Sequence, residues 1–193
     1  MKALCTLAFL LFLTASAYAV PIIDQNQPSG PVYMAGFNQP DLAQSFQQAN
    51  NNIAGAGIFL QYGIGTSDNI TISLWNALPN AQGAINVASG TALGSNGNWV
   101  DVFWNPVLVS PNTTMYLVFT SANNTLGIAG SVENPYPFGQ VYANSGFGPF
   151  PDFDYAFRTY AESAAVPEPA TLLLLGSGLV GLAGYGRKRF HKK

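Results

Sequence analysis

Carboxylates are the most numerous reactive side chains between residues 20 and 165. That stretch holds eight acidic residues and one basic residue, Arg158, for a net charge of −7 against −2 for the whole chain. Asp152 and Asp154 lie two positions apart, and alternate residues of an extended segment point the same way. Two such carboxylates could share one Ca²⁺ ion, which prefers oxygen ligands, or could simply be solvated acids in a loop. Calcium is therefore the one cofactor that the sequence admits.

Several residue types are missing from the same stretch, and their absence removes most enzyme chemistry. The only cysteine, Cys5, and the only histidine, His191, lie outside residues 20–165, and no lysine lies inside them. Thiol nucleophiles, Ser-His-Asp triads, common zinc sites and Schiff-base lysines are thereby excluded. The negative charge disfavours nucleic acid, because phosphate backbones are repelled. A pair of carboxylates that hydrolyses a glycosidic bond remains as an enzymatic alternative, but the sequence predicts a protein that is not an enzyme.

Arg158 and a few aromatic residues are the candidates for ligand binding. Arg158 has two interpretations: its planar fork could pair with a carboxylate across the sheet, or it could clamp a ligand carboxylate or sugar hydroxyls. Sugars stack their C–H faces on flat rings, so Trp75, Trp99 and Tyr136 are candidate platforms. The alternative for each ring is packing in the core, where aromatic side chains are common.

The pattern that must position these residues is a series of short strands separated by turn clusters. Apolar residues alternate over 70–75, 99–104 and 155–160, and a longer apolar run over 115–120 suits a central strand. No sustained helical periodicity lies between the two terminal segments. The sequence therefore predicts an all-β domain over residues 20–160, an antiparallel β-sandwich that is jelly-roll-like.

The first 19 residues have the form of a secretory signal peptide. A short positive start is followed by an apolar core too short to cross a membrane and by a small-x-small ending, which predicts cleavage after Ala19. Sec export machinery and signal peptidase are the partners that this segment predicts. The polar segment 24–31 that follows is expected to be loose.

The tail after a short linker, residues 161–166, has three parts. The first is a motif that cannot continue a helix backwards, and it consists of Pro167, Glu168 and Pro169. Residues 170–186 are apolar and uncharged, at the short end of what crosses a bilayer core of about 30 Å as a transmembrane helix. The basic end, residues 187–193, favours a cytoplasmic location, and it begins with Arg187, Lys188 and Arg189.

This tail, residues 167–193, resembles the PEP-CTERM sorting signal of Gram-negative bacteria. The resemblance implies export, transient anchoring in the inner membrane, and recognition near the motif by an exosortase-type membrane protease. It further implies delivery to the cell surface or the extracellular matrix and a link to exopolysaccharide or biofilm. The alternative is an ordinary C-terminal membrane anchor that is never cleaved.

The body resembles a widespread group of exported bacterial β-sandwich modules without an agreed activity. The resemblance is carried by strand and turn segments such as 43–46, 72–75, 99–102, 110–118 and 155–160. It implies the fold more than any function. We therefore expect a non-catalytic matrix or glycan-interaction module, with a purely structural surface protein and a carboxylate-dependent glycan hydrolase as the alternatives.

Overall fold

The computed structural model describes residues 20–30, 32–163 and 176–179. Thirteen strands fill the body: β1 (Pro21–Gln27), β2 (Val32–Gly36), β3 (Leu42–Gln47), β4 (Asn52–Gly63), β5 (Ser67–Trp75), β6 (Asn86–Ser95), β7 (Trp99–Leu108), β8 (Thr114–Ser121), β9 (Leu126–Ser131), β10 (Val141–Ala143), β11 (Gly148–Phe150), β12 (Asp154–Tyr155) and β13 (Phe157–Glu162). They belong to one compact unit, Pro21–Ser163. A unit with its own core is expected to fold alone.

The strands form two antiparallel sheets with the connectivity of a jelly roll. The first sheet contains β2, β9, β4 and β7 as successive neighbours, with β13 and β1 added beside β4 and β12 added beside β9. The second sheet has the order β11-β10-β3-β8-β5-β6. From β2 to β9 every strand lies in the opposite sheet from the strand before it, except that β5 and β6 form a hairpin. This is the double Greek-key arrangement, and it confirms the predicted sandwich.

The core lies between the two sheets and is built by period-two alternation. Ile70, Ile72 and Leu74 of β5 are fully buried, and Val100 and Val102 of β7 face them from the first sheet. Strand β8 lies between β3 and β5, as its long apolar run predicts. Each fully buried side chain of this size contributes roughly 1.5–3 kcal/mol. The alternation that was visible in the sequence therefore defines the inner faces.

The polar segment 24–31 after the predicted leader is strand up to Gln27, so the prediction that it is loose is wrong for that half; Pro31 lies outside the described residues. β1 pairs with β13 from Pro21 opposite Glu162 to Gln27 opposite Phe157, with an irregularity between Ile23 and Asn26. Asp24 also accepts a hydrogen bond from the backbone N–H of Ala49 at 3.0 Å. The backbone ladder to β13 orders a strand whose composition alone suggests a loop.

The last strand is divided, whereas the sequence predicts one strand over 155–160. β12 pairs with β9 and β13 pairs with β4, and Ala156 lies between them. Its N–H donates to the carbonyl of Ala129 at 2.8 Å, and its carbonyl accepts the N–H of Phe59 at 3.0 Å. Ala156 thus marks the point where this segment changes neighbours.

Residues 176–179 are helical. The predicted signal peptide, Ala19, the Pro-Glu-Pro motif, most of the 170–186 helix and the basic end lie outside the described residues. Within the described part of the chain, no helix is long and apolar enough to cross a membrane.

Candidate functional site

An aromatic and charged cluster covers the outer face of the first sheet across β7, β4 and β13. We call it the outer-face cluster, and it consists of Phe59, Trp99, Asp101, Phe103, Arg158 and Tyr160. Two glycines of the middle strand make it possible. In register, Gly57 lies between Arg158 and Asp101, and Gly55 lies between Tyr160 and Phe103. Side chains from the flanking strands therefore meet over a middle strand that has no side chains of its own at these positions.

Space over the two glycines is fully used. A Cβ atom built on Gly57 would lie 2.0 Å from Oδ1 of Asp101, and one built on Gly55 would lie 2.7 Å from Cδ1 of Phe103. Neighbouring strands are about 4.8 Å apart, so the flanking side chains must lean over β4 to touch. The sequence signal for this arrangement was the Ala-Gly-Ala-Gly run in a predicted strand, because glycine inside a strand often marks a close approach.

The centre of the cluster is an ion pair between Arg158 and Asp101. Nε of Arg158 donates to Oδ1 of Asp101 at 2.8 Å, and an Nη nitrogen donates to Oδ2. The Tyr160 hydroxyl donates to the same Oδ1 at 2.9 Å. The pairing confirms the first interpretation of Arg158, since a bidentate guanidinium suits a carboxylate. The hydrogen bonds to Asp101 raise the pKa of Arg158, although partial burial opposes them.

Aromatic rings surround this ion pair. The guanidinium carbon of Arg158 lies 4.3 Å from the ring centroid of Trp99, a cation–π distance. Trp99 in turn meets Phe59 edge-on at 5.7 Å, and Phe103 meets Tyr160 at 4.9 Å. Phe103 is 54% exposed, while the side chains of Arg158 and Asp101 are 21% and 23% exposed. The face therefore combines one well-exposed ring with polar atoms within reach of solvent.

The structure separates the four predicted ligand-binding residues. Trp99 and Arg158 are in contact within the outer-face cluster. Trp75 is half-buried on the second sheet beside Tyr116, and its indole nitrogen is buried without a hydrogen-bond partner among the described residues. Tyr136 is buried, its ring perpendicular to Phe157 at 5.0 Å and its hydroxyl bonded to Gln25. Neither Trp75 nor Tyr136 joins the pair.

The two predicted calcium ligands also lie in different surroundings. Asp152 is exposed in a turn, so the extended segment that the prediction assumed is not there. Asp154 is 0% exposed, and its oxygens accept from Nε2 of Gln44 at 2.8 Å and from the N–H of Tyr136 at 2.9 Å. A third donor, the Asn134 amide, reaches Oδ2 at 3.1 Å when its nitrogen faces the carboxylate. The two carboxylates do not share a face, and the described residues contain no group of three His, Cys, Asp or Glu arranged to hold a metal.

Burial raises the pKa of Asp154 above its usual value, because its hydrogen bonds to Tyr136 and Gln44 only partly offset the loss of water. Asp154 therefore belongs to the interior rather than to a surface site.

Asp68 is the buried carboxylate that the sequence did not reveal. Its neighbours Ser67 and Asn69 are residues typical of turns, yet Asp68 lies in β5 at 3% exposure. Six donor groups from four residues surround it, and these residues are Asn69, Ser121, Asn123 and Thr125. Burial alone would raise the pKa of Asp68, but these hydrogen bonds lower it overall. The carboxylate fixes the turn between β8 and β9, and only the polar run 121–125 hinted at it.

A pocket of about 150 Å³ opens beside β10 and β11, lined by residues that include Met34, Val141, Phe150 and Phe153. Pockets for drug-sized ligands are about 300–1,000 Å³. The outer-face cluster, which has an exposed ring close to charged side chains, is therefore the better candidate for a binding surface.

Comparison with known families finds one match, a PEP-CTERM protein-sorting motif at residues 165–189. The chain therefore carries the sorting motif that its tail resembles, which supports export and membrane-associated sorting to the cell surface. The motif implies an exosortase as the processing partner in general. No curated protein and no solved structure matches the chain.

Proposed function

We propose that this chain is an exported, exosortase-processed surface protein whose β-sandwich is a non-catalytic glycan-binding module. The observation that carries the binding half is the outer-face cluster, in which Phe103 lies exposed beside the Arg158–Asp101 pair. An exposed ring offers a platform for the C–H face of a sugar. The neighbouring guanidinium and carboxylate offer donors and acceptors for hydroxyl groups.

The charge of the body narrows the ligand class. With eight acids and one base between residues 20 and 165, the surface repels anionic polymers at long range. The described residues show no hydrogen bond from the second Nη nitrogen of Arg158, which leaves a donor for a hydroxyl. A neutral glycan, such as uncharged segments of an exopolysaccharide, fits this surface better than a uronic-acid polymer.

The proposed lack of catalysis is supported by the carboxylates themselves. Asp68, Asp101 and Asp154 already accept hydrogen bonds from protein groups. A glycosidase needs two accessible carboxyl groups at a fixed separation. Asp152 is accessible, but it lies in an exposed turn and not in a cleft that would hold a sugar between two carboxyl groups.

The glycan-binding proposal is tested by measuring the binding of purified residues 20–163 to a neutral glycan panel and to exopolysaccharide from the bacterium that makes this protein. We expect saturable binding that Phe103→Ala abolishes. Phe138→Ala is the matched control, because Phe138 is 60% exposed but lies outside the cluster, and it should bind normally. If the wild type binds and both variants bind equally well, the assignment of binding to the outer-face cluster is contradicted. A parallel series with Ca²⁺ and with chelator tests the calcium prediction for Asp152 and Asp154.

Sorting is tested separately in cells of the producer. Glu168→Ala combined with Pro169→Ala should leave the protein in the inner membrane, because the protease-recognition motif is lost. Normal processing and arrival at the surface would contradict the sorting half of the proposal and leave the glycan result unaffected.

A further inference from the structure

Strand β6 is a long open edge of the second sheet. It is the last strand in the sheet order and pairs, within the described residues, only with β5. Its ladder is regular from Ser95 opposite Ser67 to Ala88 opposite Leu74, and the register shifts only beyond that point. An edge strand leaves half of its N–H and C=O groups facing outward, ready to pair with another strand.

The other edges of the sandwich carry features that block such pairing. β1 contains Pro21 and Asp24 and has an irregular register, and β7 contains Asp101 and Pro106 and has an irregular register as well. β2 and β11 have only five and three residues. Short length, proline, charge and bulges are the means by which edges are protected. β6 has ten residues with no proline and no charge.

We propose that β6 pairs antiparallel with β6 of a second copy of this chain. The argument for a second copy is charge. The body carries a net charge of −7, so two copies repel each other, and the repulsion is smallest where the contact itself holds no charge, as in residues 86–95. This inference does not depend on glycan binding.

The strand is also complementary to itself in one antiparallel register. With Gly90 on the two-fold axis, Val87 lies opposite Leu93 of the second copy, and Ser89 lies opposite Thr91. Val87 and Leu93 are 37% and 69% exposed, so the contact would cover two apolar side chains on each copy. A symmetric contact of this kind closes as a dimer, and it joins the two six-stranded sheets into one.

Sedimentation velocity over a concentration series tests the dimer on residues 20–163, which contain the whole core cluster. We expect the wild type to dimerise and Ser89→Lys combined with Thr91→Lys to remain monomeric, because like charges would stand directly opposite each other. Both positions are exposed, and the one side-chain hydrogen bond lost, between the hydroxyls of Thr91 and Thr71 at 2.7 Å, is also lost in the control variant below, so the two variants should show similar, slightly lowered melting temperatures.

Ser73→Lys combined with Thr71→Lys is the matched control. Ser73 and Thr71 belong to β5, where they lie opposite Ser89 and Thr91 of β6. Because β5 is one strand further from the edge, this variant should still dimerise. A wild type that stays monomeric at its highest soluble concentration would overturn the proposal, as would a Ser89→Lys/Thr91→Lys variant that dimerises normally.

Cysteine cross-linking tests the register, because residues 20–163 contain no cysteine. A mixture of Ser89→Cys and Thr91→Cys proteins should form a mixed disulfide, since opposed residues bring their Cβ atoms close enough for one. Phe138→Cys, mixed with either variant, measures random collision. Cross-linking of the first mixture at no more than that random rate would overturn the proposal.

Discussion

The regions around Asp68 and Asp154 each contain a carboxylate with little exposed surface, and the pKa values of the two carboxylates shift in opposite directions. Six donor groups surround Asp68, and its pKa is lowered. Asp154 has two donors, Gln44 and Tyr136, or three when Asn134 faces it, and its pKa is raised. Burial penalises both charges, but Asp154 lies deeper in the protein and Asp68 lies under a surface turn. The depth of burial and the number of donors therefore act together to set the direction of each pKa shift. A buried acid therefore cannot be interpreted as structural or reactive from its burial alone.

The largest expected effect comes from removing the carboxylate with the most donors. Asp68→Ala leaves several partly buried N–H and O–H groups without their charged acceptor in the turn between β8 and β9, and we expect a loss of about 3 kcal/mol. For a domain of this size the melting temperature should fall by roughly 6–12 °C. Asp152→Ala is the control, since Asp152 is exposed, and it should melt like the wild type. Equal melts for both variants would show that the donors do not stabilise the turn.

Acid titration should separate the two carboxylates by pH. The pKa of Asp68 is lowered from 3.8, so its stabilisation is present above that value and is lost as pH falls below it. The pKa of Asp154 is raised from 3.8, so ionisation of this carboxyl destabilises the folded state. Stability therefore falls as pH rises from 3.8 through the folded pKa. Thermal melts from pH 7 to pH 2 measure both. Asp68→Asn should flatten only the acidic limb, and a variant with an unchanged acidic limb would contradict the assignment.

An intermediate loss of stability is expected when Asp101 loses its partner, because the charge of Asp101 is balanced by the opposite charge of Arg158. Arg158→Ala removes the ion pair and the guanidinium above Trp99, and we expect a loss of about 2 kcal/mol. Differential scanning calorimetry should show a melting temperature several degrees lower. Arg158→Lys keeps the charge but not the bidentate fork, so its melting temperature should lie between those of the wild type and of Arg158→Ala. An unchanged melt combined with lost glycan binding would instead assign Arg158 to the ligand.

The smallest effect is expected at Asp154. Asp154→Asn removes a charge that burial penalises but keeps only one of the two acceptor oxygens, and its NH2 group would face a donor. These effects oppose each other, so stability at pH 7 should change by only about 1 kcal/mol. Chemical denaturation at pH 7 and at pH 5 measures it. A loss as large as that of Asp68→Ala would show that the charge of Asp154 is needed despite its few donors.

Alternation in the sequence predicted the strands around Ile70 and Val100, and a continuous apolar run predicted the strand around Phe119, because both patterns are local signals. They did not predict β1, whose order depends on hydrogen bonds to β13. Arg158 was correctly expected to pair with an acid, but Asp101 could not be singled out, since the pair exists only through the register of three strands across Gly57. The role of Asp68 also depends on residues far away in the sequence, because most of its donors come from the turn between β8 and β9. It could therefore not be predicted from local pattern.

The pairing of Pro21 with Glu162 also sets the order of folding. The first strand has its partner in the last strand, and closing a loop over nearly the whole domain is entropically costly. Topologies dominated by such non-local contacts fold slowly. Any chain that ends before β13 leaves β1 without its neighbour and β4 with one unpaired edge. The sandwich can therefore be completed only after its final strand has been translocated.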